Sequence, residues 1–279
     1  WFGLMDFGTI WVDRQNNANE NVNFFWNIEK NDKGTYYISI SKKSTVLADP
    51  ELYAEPAAAF EAYSGETRVV YLTFDDGPTR DNTNDIVFKL LEYGIKASFF
   101  VEGKDVERYP DRMEAIFNRG HVIACHSHTH EYAAIYSSID AFIDEVEQYE
   151  NALIEAIGEE NFAKIKKIIR FPGGTNNSHL ASKEEALAYI TAVRGLGYSV
   201  YDWTALTGDA EGNKDAQSFI ASLSKSLDTA KNRGLDLIVL MHDNVYTNES
   251  LIEILDFLIA EGYYFDTIDN CPEYTFVEN

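Results

Sequence analysis

Only two cysteines, Cys125 and Cys271, occur in the 279 residues. At most one disulfide can form, so this is no disulfide-stapled scaffold. Cys125 lies in an apolar, strand-like run, where a buried free thiol is the expectation. Basic residues are also scarce: 23 Lys+Arg stand against 46 Asp+Glu, a net charge of −23. That balance argues against phosphate-mediated nucleic-acid binding and against docking on an anionic membrane. A neutral ligand such as a sugar polymer is compatible with it. No apolar run approaches the roughly 18 residues of a membrane-spanning helix, so an integral membrane protein is not expected. Neither an initiator Met nor a signal sequence stands before Trp1. The chain reads as a trimmed or mature fragment, with any export signal outside it. No internal repeat or low-complexity tract is apparent.

What is present suffices for a large core. Hydrophobic residues make up 45% and aromatics 14%, in a length that holds one large domain or a domain with an appendage. Residues 1–67 read as a small β-rich segment and a linker. Val22, Phe24, Trp26 and Ile28 alternate with polar partners, as do Ile38 and Ile40, and Asn31-Asp32-Lys33-Gly34 between them suits a hairpin turn. A short helix is expected at Ala57–Phe60 within the linker. From Arg68 to the end, strand-like and helix-like runs alternate, the pattern of β/α units on a parallel sheet. Strands are predicted at Arg68–Phe74, Lys96–Val101, His121–Cys125, Lys166–Arg170, Tyr198–Trp203, Asp236–Met241 and Tyr263–Ile268. Amphipathic helices are marked by Ile86, Leu90 and Tyr93, by Ile139, Phe142, Val146, Tyr149 and Leu153, and by Leu251, Leu255 and Leu258. They stop at Gly94, Gly158 and Gly262. Seven such units suit a barrel or a doubly wound sheet.

The strand ends carry the chemistry. Val69-Val70-Tyr71-Leu72 runs into Thr73-Phe74-Asp75-Asp76-Gly77-Pro78. Side chains alternate along a strand, so adjacent acids take different jobs unless the chain bends between them. Asp76 reads as a metal ligand and Asp75 as an acid or base. After the third strand comes His126-Ser127-His128-Thr129-His130. In a helical turn His126 and His130 would share one face, while an extended His-x-His pair would involve His128 instead. With Asp76, His126 and His130 make a two-histidine, one-carboxylate set with open positions for water. Asp75 would then take a proton from that water. Arg170-Phe171-Pro172-Gly173-Gly174 ends the fourth strand with a guanidinium placed to hold a carboxylate. Its glycines allow backbone N–H groups close to a ligand. Tyr201-Asp202-Trp203 ends the fifth, with Asp209 six residues on; Trp203 is either a sugar platform or core. The apolar run Leu237–Met241 delivers His242 to the same end. His121, at a strand start, reads as structural, and His179 receives no role.

These motifs, in this order over residues 68–270, resemble the polysaccharide deacetylase family, the NodB-homology carbohydrate esterases. The resemblance implies a distorted (β/α)7 barrel and one divalent metal ion, Zn2+ foremost, with Co2+, Mn2+, Fe2+ or Ni2+ as alternatives. It implies Asp76, His126 and His130 as ligands, Asp75 as general base and His242 as general acid. Arg170 would tether Asp75 and Asp209 would orient His242. Pro172, Gly173, Trp203 and Leu240 would contact substrate, Leu240 lining an acetyl pocket. The implied reaction is N-deacetylation of an amino-sugar polymer, peptidoglycan or chitin-like, by a secreted or cell-surface bacterial enzyme. Two departures, Gly173 and Ala210, stand where the family often has aromatic walls. Alternatives are O-deacetylation of xylan, an amidohydrolase-type centre using His128, and a non-catalytic carbohydrate-binding protein.

Overall fold

The apolar–polar alternation before residue 46 becomes strands in the structure, a computed structural model that describes four short N-terminal strands and residues 68–278 continuously. Two compact units divide the chain, Trp1–Ala57 and Ala58–Asn279. In the first, β1 (Phe2–Leu4) pairs with β2 (Ile10–Val12) and β3 (Phe25–Lys30) with β4 (Tyr36–Ser41), both antiparallel. The β3–β4 register sets Trp26 opposite Ile40 and Ile28 opposite Ile38, so the alternating apolar residues of the two strands are cross-strand partners. Val22, Phe24, the expected turn at 31–34 and the expected helix at 57–60 lie outside the described residues.

In the second unit the strands are β5 (Arg68–Gly77), β6 (Ser98–Val101), β7 (Val122–Cys125), β8 (Ile168–Ile169), β9 (Ser199–Val200), β10 (Ala205–Leu206), β11 (Leu237–His242) and β12 (Tyr263–Asp266). They form one sheet in the order β10-β11-β5-β6-β7-β8-β9, with β12 on β5, and every pairing is parallel. The end strands β9 and β10 do not pair with each other. The expected distorted barrel is therefore a curled, open half-barrel. β10 is absent from the sequence reading because two residues are too few to show a period.

The helices are α1 (Thr83–Glu92), α2 (Gly103–Arg108), α3 (Pro110–Asn118), α4 (Tyr132–Ile135), α5 (Ile139–Ile157), α6 (Glu159–Phe162), α7 (Lys183–Gly195), α8 (Ala216–Asn232) and α9 (Val245–Ala260). α5, the longest, starts where the Ser138 hydroxyl accepts from the Ala141 N–H, which satisfies one of the orphan donors of the first turn. It stops at Gly158. No helix among the described residues is long and apolar enough to cross a membrane.

Burial on both faces explains why the strands read as continuous apolar runs. Val70, Leu72, Phe74, Phe99, Val101, Ile123, Cys125, Val239 and Met241 join the large core shared with the helices. The intervening residues Tyr71, Phe100, Ala124, Ile168, Tyr201 and Ile238 form a second cluster on the other face. Since side chains repeat every two residues along a strand, the next positions on that second face are predictable. They are Thr73 and Asp75, Glu102, His126, Arg170, Trp203, and Leu240 and His242. The inner face is thus apolar through the middle of the sheet and polar at the carboxyl ends of its strands. Both cysteines are buried and free.

Candidate active site

Asp75 and Asp76 reach the same site because the chain bends between them. The β5–β6 register shifts between Asp75 and Gly77, and Asp76 has φ 65°. This local break lets consecutive side chains serve one centre, which regular alternation forbids. Asp75 is buried, and its Oδ1 accepts from Arg170 Nη1 at 2.7 Å. Arg170 is wholly buried, and each of its three guanidinium nitrogens donates a hydrogen bond. It also donates to Thr73 Oγ1 at 2.8 Å and to the carbonyls of Tyr201 and Asp202 at 3.2 Å each, and its guanidinium lies 4.0 Å from the Phe100 ring centroid. Asp75 Oδ2 faces the other way, 3.7 Å from His126 Nε2.

Asp76 Oδ1 stands 3.4 Å from His126 Nε2 and 3.5 Å from His130 Nε2. The expected helical turn through 126–130 does not form. The pair converges instead through a loop in which Ser127 (φ 70°) and His130 (φ 59°) both take left-handed backbone. Side chains clamp that loop. Glu145 of α5 accepts from the N–H groups of His128 and Thr129 and from the Thr129 hydroxyl at 2.7–2.9 Å. His128 turns away from the site toward α2, where a Cβ on Gly103 would come within 2.3 Å of its Nδ1. Glycine at 103 is thus the space His128 occupies.

A divalent cation fits the Asp76–His126–His130 set on three observations. One ligand atom from each residue lies within 4.8 Å of the others. Asp76 Oδ1 is buried and has no hydrogen-bond partner, a costly condition unless something positive answers it. His126 Nδ1 lies 2.9 Å from the Arg170 carbonyl. A carbonyl can only accept, so that nitrogen carries the hydrogen and Nε2 is left as the ligand atom. The electrostatics agree. Burial alone would lower His126, but Asp75 and Asp76 raise it above the ordinary imidazole value. His130 is held lower, by burial and then by the charge on His126. Burial would raise Asp76, yet the three histidines hold it well below the usual carboxylate range. The cluster draws in positive charge.

His242 completes the site from β11. Its Nε2 is 4.0 Å from Asp76 Oδ2, and its Nδ1 is 3.0 Å from Asp209 Oδ1. Asp209 is held in turn by the Thr247 hydroxyl (2.7 Å), Asn244 Nδ2 (3.0 Å) and the His242 N–H (2.8 Å). Burial pulls His242 down, but the Asp209 hydrogen bond and the charges of Asp209, Asp75 and Asp76 push it up to about 9. Burial would raise Asp209, and His242 and Thr247 outweigh it, leaving the carboxyl below its ordinary value.

The remaining predicted residues lie around this centre. Leu240 is buried one inner-face step below His242 and pairs with Thr73. Trp203 is half-buried, against Phe276 at 4.9 Å, with the Arg170 guanidinium 5.8 Å from its ring. Pro172 is buried, and its carbonyl accepts from the Tyr136 hydroxyl at 2.7 Å. Gly173 is exposed. His121 is buried at the opposite end of the strands, accepting from the Ala97 N–H at 3.1 Å, and burial with nearby Lys96 and Arg119 lowers it to about 3.

Sequence reasoning missed four contributors. Glu102 occupies the inner-face position after Phe100, is buried, and pairs with Lys104 at 2.6 Å; burial pushes its carboxyl up to about 7 against the Lys104 ammonium. Glu145 was findable, since it falls on the apolar face of α5 between Phe142 and Tyr149, where an acid needs a reason. Thr247 and Tyr132 gave no signal. Tyr132 opens α4, and its ring lies 5.2 Å from His130.

A family model described as polysaccharide deacetylase matches residues 62–192. A peptidoglycan-N-acetylglucosamine deacetylase of Bacillus cereus is 30% identical over 237 residues, 82% of this chain and 81% of that protein. Among solved structures, the catalytic domain of a peptidoglycan N-acetylglucosamine deacetylase from Eubacterium rectale is similar with TM-score 0.65 and 28% identity, covering 79% of this chain and 97% of that one. A Streptococcus mutans CE4 esterase is similar with TM-score 0.64 and 28% identity, covering 72% and 86%.

Proposed function

The chain belongs to the polysaccharide deacetylase family, and from that premise we propose that it is a metal-dependent hydrolase removing N-acetyl groups from an amino-sugar polymer, peptidoglycan N-acetylglucosamine or a chitin-like oligomer. Residues 68–279 are the catalytic domain of this reading, and 1–67 precede it. The observation that carries it is the placing of two proton-transfer groups, Asp75 Oδ2 and His242 Nε2, around one Asp76–His126–His130 cluster. The names of the relatives support the substrate class. Peptidoglycan is part of the bacterial wall, so on that substrate the enzyme works outside the cytoplasm.

Asp76, His126 and His130 would hold the ion, and the donor set suits Zn2+ first, then Co2+, Mn2+, Fe2+ or Ni2+. When bound, such an ion supplies Lewis acidity toward the acyl oxygen and makes a water more acidic. Asp75 takes a proton from the attacking water through Oδ2, because Oδ1 is committed to Arg170. The Gly173 N–H, which no hydrogen bond among the described residues engages, donates to the oxygen that gains negative charge. His242, charged and oriented by Asp209, gives its Nε2 proton to the leaving amine as the C–N bond breaks. The products are acetate and a free amino sugar.

Acetate release from peptidoglycan, chitin oligomers and acetylxylan tests the substrate class. Release from the first or second is expected, and release from acetylxylan alone would replace this reading with O-deacetylation. A second expectation concerns pH. The proton donor works only when charged, so activity falls as pH rises through the His242 value. Asp209→Asn removes the carboxylate that raises that value, and the alkaline limb of kcat/KM moves to lower pH. A limb that stays in place in Asp209→Asn would take the donor role away from His242.

A further inference from the structure

α4 begins two residues after His130, and its first residue stands beside the candidate ligands. The Tyr132 ring meets the His130 ring edge-on at 5.2 Å between centroids. On another side is the loop after β8. Gly173 has φ +75°, and a Cβ there would lie 3.0 Å from both Cε1 and Oη of Tyr132. Real Cβ contacts are rarely that close, and left-handed backbone already disfavours a side chain at this position. The hydroxyl edge of Tyr132 therefore overhangs the residue whose N–H is free.

The ring is also supported. His179 lies 5.1 Å from Tyr132 and stacks on Tyr136 at 6.0 Å. Tyr132 itself is half-buried, and no hydrogen bond among the described residues engages its hydroxyl. A phenol held between His130, Gly173 and His179, with an uncommitted hydroxyl at the edge of the catalytic centre, is arranged as a ligand contact. The half-buried hydroxyl is open to a ligand on the side of Gly173.

We infer that Tyr132 is a substrate-contacting residue that sets specificity. Its ring is the wall against which the sugar bearing the acyl group rests, and its hydroxyl donates to an oxygen of that sugar. Gly173 is glycine because this wall comes from α4 and fills the space a side chain at 173 would take. The inference rests on the deacetylase reading above.

The test compares wild type, Tyr132→Ala and Tyr132→Phe on a chitin oligomer and on 4-nitrophenyl acetate, which carries no sugar. Tyr132→Ala is expected to raise KM for the oligomer about tenfold, the size of one ring contact, a larger loss than the same variant shows on 4-nitrophenyl acetate. Tyr132→Phe keeps the ring and its packing, and should raise the oligomer KM by about threefold through loss of one hydrogen bond. Unchanged oligomer KM in both variants would overturn the inference while wild-type activity upholds the deacetylase reading. So would a parallel fall on both substrates, which marks a structural role. A wild-type protein that releases acetate from no glycan overturns both.

Discussion

Asp75→Asn is expected to lower turnover on an acetylated amino-sugar polymer by about 10²–10⁴-fold, the range of a lost general base, while the protein still takes up one divalent ion. The two halves of this expectation come from the two oxygens of one carboxylate. Oδ1 accepts from Arg170 at 2.7 Å, and Oδ2 faces His126 at 3.7 Å. An amide oxygen can still accept from Arg170, so the buried guanidinium keeps a partner. What the amide cannot do is take a proton from water at neutral pH. Breaking a buried ion pair costs several kcal/mol when one charge is left alone, so thermal unfolding is measured on the same sample. Ion content after dialysis then separates a folded, inactive enzyme from an unfolded one. Turnover at the wild-type level in folded Asp75→Asn would assign the base elsewhere.

The second large effect is loss of the ion itself. His126→Ala should bind no divalent cation after dialysis and should release no measurable acetate, whereas His128→Ala should retain one ion per chain. The contrast follows from where the two rings point. His126 is fixed by its Nδ1 contact to the Arg170 carbonyl, with Nε2 3.4 Å from Asp76 Oδ1. His128 is folded back over Gly103. Elemental analysis of both variants beside wild type decides it. A stoichiometric ion in His126→Ala, or its loss in His128→Ala, would move the centre to a different histidine pair.

These two predictions draw on residues that are legible in the sequence. Asp75, His126, Arg170 and His242 each stand at the end of an apolar run, with Asp76 one residue beyond Asp75 and His130 four beyond His126, and a polar residue at a strand end has little packing to do. The period of two made the runs strands, and glycine stops marked the helices. Other contributors were hidden for physical reasons. Thr247 is one hydroxyl in the first turn of α9, and only folding brings it 2.7 Å from Asp209. Glu145 sits 16 residues along the chain from the Thr129 it clamps. β10 is two residues long. The helical turn expected at 126–130 was wrong because i,i+4 spacing is only one way to bring two imidazoles together. Two left-handed residues in a clamped loop do so as well.

By itself, the sequence determined the parallel β/α plan, the end of the sheet that carries chemistry and the residue types gathered there, because hydrophobic period and strand-end polarity are local properties. Only the tertiary structure decided which oxygen of Asp75 is committed and which is open, and how Asp76 is turned to share its face. It also decided that His128 faces away, and that Tyr132 fills the space beside Gly173. Those are distances and directions between side chains far apart in the chain, and no one-dimensional pattern encodes them.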